Sequence, residues 1–411
     1  MPGGRDPPDH GMNPQAAVEV ELARVVREHA GRLAASLVSL IGDFTTAEDL
    51  VQDAVEAALE HWPREGIPSN PDGWLYTVAR RRGLDVLRRN ARYREKLALA
   101  AWPPQSPQDD RLRLIFTCCH PALPRTAQIA LTLRVVCGLT TAQIAKAFLI
   151  PESTVAQRIT RAKRKIADAG IPYRIPDADE LGPRLAKVLT VVYLLFNEGY
   201  LSSGGERAES RDLAEDADFL ATMLGTLMPT EPEVLGLLAL IRLHRARAAS
   251  RFTPSGEIIQ LPDQDRTLWD HAAIGDATAL IAKAAGFKRP GPYQLQAAIL
   301  AVHAEARTFE ETDWEQIFLL YTMLDGIAPS PVVKLHRAIA LRYVSGAREA
   351  LSEVDKLSDA LHGYHLWHAT RAELLRDLGS FDKARAADRR ALRLTANPAE
   401  QSLLRQRINW A

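Results

Sequence analysis

Apolar side chains recur three and four residues apart along nearly all of the 411-residue chain, and no stretch alternates with the two-residue rhythm of a strand. The pattern predicts an all-α protein. Prolines and glycines divide it. A first helical unit spans residues 15–95, behind an N-terminus (1–14) rich in Pro, Gly and Asp that is expected to be disordered. Residues 96–110 carry Pro103, Pro104 and Pro107, cannot be helical throughout, and read as a linker. A second small unit covers 111–170. Gly170-Ile-Pro-Tyr-Arg-Ile-Pro176 then marks the boundary before a long helical part over 171–411.

The sharpest local pattern lies between Leu139 and Ile166. Thr140 or Thr141 caps a short helix that turns Ile144, Ala145 and Phe148 inward; Leu149-Ile-Pro151 breaks it, and a second helix opens at Glu152. In that second helix Val155, Ile159, Ala162 and Ile166 share an apolar face, while Ser153, Gln157, Thr160, Arg161 and Arg164 project from the opposite one. This is the pattern of a helix-turn-helix. Gln and Arg make bidentate contacts with base edges in the major groove, and Arg158, Lys163 and Lys165 are placed for phosphates. A run from Arg158 to Lys165 without an acid sets this helix apart from an ordinary solvated one.

The first unit pairs opposite charges. Thr46 with Asp49 is a variant of the capping box, and Leu50, Val51, Ala54, Val55 and Ala58 supply a buried stripe. Asp49, Asp53 and Glu56 line up on the exposed face. A Pro- and Gly-rich stretch from His61 to Asp72 reads as a loop, followed by a helix dense in arginine from Arg80 to Arg89. An acidic stripe repels DNA and an arginine helix attracts it, so the unit is expected to bind protein on one face and nucleic acid on another. Trp62 and Trp74, set among apolar neighbours, read as core in preference to platforms for unpaired bases.

Trp74-Leu-x-x-Val-Ala-Arg-Arg-Arg-x-Leu-Asp-x-Leu-Arg-Arg89, preceded by Ala47-Glu-Asp-Leu-Val-Gln-Asp-Ala54 and followed by the helix-turn-helix, resembles regions two and four of extracytoplasmic-function (ECF) sigma factors of bacterial RNA polymerase. The resemblance implies promoter-specific initiation of transcription, with core RNA polymerase (its β′ clamp helices and β flap) and promoter DNA as partners. Asp49, Leu50, Gln52 and Asp53 would meet the clamp helices. Arg64, Asn70, Arg80, Arg81, Arg88 and Arg89 would capture the −10 element. Ser153, Thr154, Gln157, Arg158, Thr160, Arg161 and Arg164 would read the −35 element, and the Pro-rich linker would thread the polymerase cleft. The chain departs from many members of the family at Arg81, where they carry Asn. Asp110-Arg-Leu-Arg-Leu-Ile-Phe-Thr-Cys-Cys-His-Pro-Ala-Leu-Pro124 and Tyr193-Leu-Leu-Phe-Asn-Glu-Gly-Tyr200 narrow the likeness to the group with a long C-terminal extension.

That extension carries no convergent acid, base or nucleophile, so no catalytic site is expected. Val333 to Tyr343 and Tyr364 to Leu375 are each followed by a glycine (Gly346, Gly379) and an Ala-rich helix, with the glycines 33 residues apart. The spacing is close to the tetratricopeptide (TPR) period of about 34 and points to a TPR-like domain that regulates the rest through a protein or ligand. Asn197-Glu-Gly-Tyr200 reads as a helix-ending turn. Cys118-Cys119-His120 diverge on a helix and His362, His365 and His368 lack a completing carboxylate, so neither metal nor cofactor is expected.

Composition adds one constraint. Lys plus Arg and Asp plus Glu number 51 each, so any affinity for DNA comes from local segregation of charge, with an acidic surface expected between Glu206 and Asp218. Three cysteines and the lack of a long apolar run fit a cytoplasmic protein. A stand-alone helix-turn-helix regulator with a TPR-like sensor is the alternative reading. It leaves the acidic stripe and the arginine helix of the first unit without a role.

Overall fold

The computed structural model describes residues 14–89, 107–201 and 213–409, apart from Leu149. The expectation of disorder over 1–14 and most of the linker fall outside them. Among the described residues the chain is helical and has no β-strand, only an isolated antiparallel bridge between Phe252 and Ile258. No described helix is long and apolar enough to cross a membrane.

Two compact units form, the first running to Leu195 and the second from Phe196. The first unit opens with α1 (Pro14–Ile41), α2 (Phe44–Glu65) and α3 (Pro71–Arg89), packed on one another. Gly42, at φ +75°, ends α1, and the Asp43 carboxylate then caps α2 by accepting the Thr46 amide at 2.7 Å. The cap therefore stands three residues ahead of the expected Thr46, because a carboxylate on extended backbone is a strong acceptor for the free N–H groups of a first turn. α2 also runs through Pro63 and ends at Gly66 (φ +88°), so half of the expected loop is helical and the turn is confined to 66–70.

Next come α4 (Pro107–Cys118), α5 (Arg125–Val135), α6 (Thr141–Phe148) and α7 (Glu152–Asp168). α1 packs on α4 and α5, and α2 touches α7, so the two sequence units share one body. Tyr173, in the proline-marked segment after α7, donates its hydroxyl to the Ala35 carbonyl at 3.1 Å and ties that segment back to α1.

α8 (Ala178–Leu201) spans the division between the units. Asn197 to Tyr200 form its last turn and are helical throughout, a correction to the expected turn. Gly199 is required there: a Cβ would stand 2.4 Å from the Ala214 amide nitrogen.

The second unit continues through α9 (Leu213–Leu227), α10 (Pro232–Ala246), α11 (His271–Gly286), α12 (Pro292–Glu305) and α13 (Trp314–Ile327). α10 is buried on nearly every side, with Leu235, Leu237, Leu240, Ile241 and Leu243 enclosed by α9, α11 and α12. Hairpins follow: α14 (Pro331–Ser345) with α15 (Ala347–Asp355), then, after the short α16 (Ser358–Leu361), α17 (His365–Asp377) with α18 (Phe381–Leu394). Gly346 (φ +96°) and Gly379 (φ +70°) make the tight turns, as their spacing implies. Ala350 and Ala384 are buried where the helices close on each other. α19 (Pro398–Asn409) ends the fold.

Of the acidic surface expected between Glu206 and Asp218, Glu215 is exposed as expected, while Asp216 and Asp218 are corrections. Asp216 is 1% exposed, and Asp218 is partly buried with its carboxylate 3.9 Å from Arg242. Both lie on the first turns of α9, where burying apolar neighbours such as Leu213 and Ala217 carries the carboxylates inward.

Gly236 sits where α10 meets α12, and a Cβ there would stand 2.6 Å from the Gln294 amide nitrogen, a backbone atom with little freedom to retreat. Gly236→Ala is therefore expected to destabilise the chain by about 1–3 kcal/mol despite its better helix propensity. Chemical denaturation measures this; an unchanged or raised midpoint would contradict the close packing of these helices.

Candidate nucleic-acid and polymerase interface

The helix-turn-helix forms from local hydrogen bonding. Thr140 accepts the Gln143 amide at 3.1 Å while Gln143 Oε1 accepts the Thr140 amide at 2.9 Å, a reciprocal capping box that starts α6. The Thr141 hydroxyl donates to Glu152 at 2.7 Å and links α6 to the first turn of α7. Val155, Ile159, Ala162 and Ile166 are buried, as their spacing requires. Ser153, Gln157, Thr160, Arg161 and Arg164 are exposed on the other side; Thr154 and Arg158 are half-buried. Arg164 lies 3.5 Å from Asp168, one turn along, so it is loosely held, while among the described residues Gln157 and Arg161 have no such tie.

The α2–α3 pair presents the second surface. Asp49 is exposed, Gln52 and Asp53 are half-buried, and Leu50 lies in the core against Gly83. Partial burial and the nearby carboxylates of Asp53 and Asp43 hold the Asp49 carboxyl above its usual range. Such crowding of negative charge favours a basic partner. Asp53 pairs with Arg82 across the helices at 3.2 Å, in a position open to solvent. Arg64 is exposed in the last turn of α2, and Asn70 uses its side chain to accept the Gly73 amide at 3.1 Å at the start of α3. Arg80 and Arg81 project into solvent; the side chains of Arg88 and Arg89 lie outside the described residues. Trp62 is buried and meets Trp74 edge to face at 5.6 Å, which places the tryptophans in packing, as their apolar neighbours imply.

One pairing was not anticipated. Glu48, adjacent to the exposed Asp49, is buried between the two modules: its Oε1 accepts from Arg134 Nε at 2.8 Å and its Oε2 from Lys163 Nζ. Side-chain exposure is 7% for Glu48, 16% for Arg134 and 13% for Lys163. Arg134 also donates to the Leu139 carbonyl at 3.1 Å, which fixes it at the entrance of the helix-turn-helix. Lys163 is thereby withdrawn from the phosphate-facing role expected for it, because it lies at the edge of the apolar stripe between Ile159 and Ile166 and follows that stripe inward. A signal was present in the sequence. Glu48 falls four residues after Phe44 and three before Val51, inside the apolar stripe, and an acid there calls for a buried cation.

Other candidates do not converge. Cys118 and Cys119 are buried, and burial pushes the Cys119 thiol up to about 12, so neither is a reactive thiolate at neutral pH. His365 meets Glu400 at 3.1 Å while His368 contacts the His362 carbonyl at 2.9 Å, so the three histidines have separate partners. Among the described residues no cluster of three metal-ligating side chains occurs.

Comparison with known families matches residues 25–93 to Sigma-70 region 2 and residues 113–166 to Sigma-70 region 4. Residues 184–285 match a family of unknown function, DUF6596. An uncharacterized protein of Rhizobium meliloti (strain 1021) is 44% identical over 394 residues, covering 91% of this chain and 92% of that protein. The ECF RNA polymerase sigma factor SigL of Mycobacterium tuberculosis is 33% identical over 160 residues, 37% of this chain and 90% of SigL. Both sigma regions thus stand in order, on the α1–α3 and α4–α7 modules, and the chain belongs to the ECF sigma factors of the sigma-70 family.

Proposed function

We propose that this sigma factor binds core RNA polymerase through the exposed acidic face of α2 and directs it to promoters whose −35 element is read by α7. In this reading Asp49, Gln52 and Asp53 meet the β′ clamp helices, while Leu50 supports them from the core. Arg64, Asn70, Arg80, Arg81, Arg88 and Arg89 engage the −10 element. Ser153, Thr154, Gln157, Arg158, Thr160, Arg161 and Arg164 form the −35 face. The chemistry of RNA synthesis belongs to the polymerase, and the C-terminal helices act as a fused TPR-like regulatory domain.

The observation that carries the reading is the separation of faces on α7, where Val155, Ile159, Ala162 and Ile166 are buried while Ser153, Gln157, Thr160, Arg161 and Arg164 are exposed. The Glu48 contact adds a condition. Promoter elements 25 base pairs apart lie about 85 Å apart along B-DNA, whereas Glu48 on α2 directly touches Lys163 on α7. The docked arrangement therefore belongs to the free protein, and the two modules part when both elements are engaged.

Reversing both Asp49 and Asp53 to Lys is expected to weaken holoenzyme formation at least about 100-fold, through like-charge contact with a basic partner. Helix content should be unchanged. Fluorescence titration with core polymerase measures the loss, and near-normal assembly of the folded double mutant would sink the assignment.

The two kinds of DNA contact separate on α7. Arg161→Ala is expected to lose about 1–3 kcal/mol of discrimination at one base pair of the −35 element. Lys165→Ala should weaken binding to all sequences alike and reduce the salt slope by about one counterion. Binding of the holoenzyme to a set of −35 variants across salt tests both. Full discrimination by Arg161→Ala would place the reading face elsewhere.

A further inference from the structure

Promoter recognition leaves the Asn197-Glu-Gly-Tyr200 turn of α8 without a role, and the second unit gathers basic side chains beside it. The Arg251 guanidinium lies over the Tyr200 ring at 3.6 Å and donates to the Tyr200 carbonyl at 3.2 Å. The His244 ring packs against Tyr200 at 4.9 Å and Phe196 at 5.6 Å. Alongside, Arg247 and Arg266 set their guanidiniums 4.9 and 4.7 Å from the centroid of the Trp269 ring. Trp269 is itself fixed by donating Nε1–H to the Ser250 hydroxyl at 2.7 Å. Arg266 donates to the His303 and Ala306 carbonyls at 2.7 and 2.6 Å, bringing His303 into the group.

Among the described residues these charges have no carboxylate partner: none forms an ion pair with Arg247, Arg251 or Arg266, and Glu310 and Glu311 attract Arg266 only from a distance. Arg247 is 8% exposed, and its Nε has no hydrogen-bond partner. Arg266 Nη2 and His303 Nδ1 are buried and unpartnered as well. Burial and the neighbouring arginines push both His244 and His303 down to about 3, so these rings are neutral at physiological pH and add no charge of their own. A buried guanidinium without an anion, as at Arg247, is costly, and two further partly buried guanidiniums beside it add to that cost.

We propose that this cluster of Arg247, Arg251, Arg266 and His303 around Trp269 and Tyr200 is a binding site for a phosphoryl group, carried by a small phosphate, pyrophosphate or phosphate ester. Guanidinium forks match the oxygens of a tetrahedral oxyanion. Stacking on Tyr200 and Trp269 holds the guanidinium planes and leaves N–H edges free to donate. The free Nε of Arg247 and Nη2 of Arg266 are donors still to be satisfied, and Nδ1 of His303 is likewise unpartnered. A phosphoryl dianion also offsets more of the charge than a monocarboxylate does. Arg251, Arg266, His244 and His303 each retain some exposure, so the cluster is not sealed. The site lies in the second unit and does not depend on the promoter-binding assignment.

The test is phosphorus NMR and thermal denaturation of the full chain with inorganic phosphate and with pyrophosphate, against sodium chloride and sodium acetate at matched ionic strength. Saturable binding and a raised melting temperature are expected for the phosphoryl anions alone. Arg247→Met should weaken that binding more than about tenfold. Without anion it should melt no lower than the wild type, because an unpaired buried charge has been removed; a purely structural arginine would give the opposite result. Arg266→Lys keeps the charge but loses the fork, and should bind more weakly while remaining folded. No saturable binding by the wild type, undiminished binding by folded Arg247→Met, or an equal response to acetate would each overturn the proposal.

Discussion

A carboxylate shared by two cations across a module boundary sets the arrangement of the first unit. Glu48 on α2 meets Arg134 at the end of α5 and Lys163 in the middle of α7, with all three side chains largely removed from solvent. Burial holds Arg134 and Lys163 below their usual ranges, so desolvation is felt at both cations. Removing one member of such a group leaves the others buried and unpaired, at a cost of about 3–5 kcal/mol. The interaction specifies which faces meet more than it adds net stability, since apolar residues of similar volume would stabilise the contact as well. Arg134 is also tied to the Leu139 carbonyl, so the same contact positions the helix-turn-helix.

The division of charge on α2 follows from this. Consecutive residues point in opposite directions: Glu48 turns inward to the second module, and Asp49 turns outward to solvent. α7 divides its cations in the same way, with Lys163 withdrawn and Arg161, Arg164 and Lys165 exposed. Within a chain of zero net charge, some opposite charges pair locally, as in Glu48 with its two cations and Asp53 with Arg82. Arg80 and Arg81 of α3 and Arg161 and Arg164 of α7 remain exposed to solvent.

The helical architecture and the two faces of α7 were legible because both rest on periodicity, which the backbone geometry imposes locally. The Gly346 and Gly379 turns were legible for a similar reason: each needs a positive φ that glycine supplies. What could not be read depends on partners distant in sequence. Lys163 resembles its neighbour Lys165 in sequence, and only Glu48, 115 residues away, distinguishes it. Asp216 looked like a surface acid although packing carries it inward. Local competition explains two smaller differences: Asp43 caps α2 ahead of Thr46, and α2 continues through Pro63 to Gly66. Arg247, Arg251 and Arg266 carried no sequence pattern of their own, because the rings that gather them, Tyr200 at the end of α8 and Trp269 in the segment before α11, are far apart in sequence.

The central claim is that the two DNA-reading modules are docked in the free protein and separate on the promoter. It is tested most directly by the distance between spin labels on cysteines introduced at Glu60 of α2 and Ala167 of α7, both exposed, against a background of three buried native cysteines. In the free chain the account predicts a single short distance. In complex with core polymerase and promoter DNA it predicts a distance longer by tens of ångströms, as the spacing of about 85 Å between the two elements requires. An equally short distance in both states, or a broad distribution in the free chain, would contradict it.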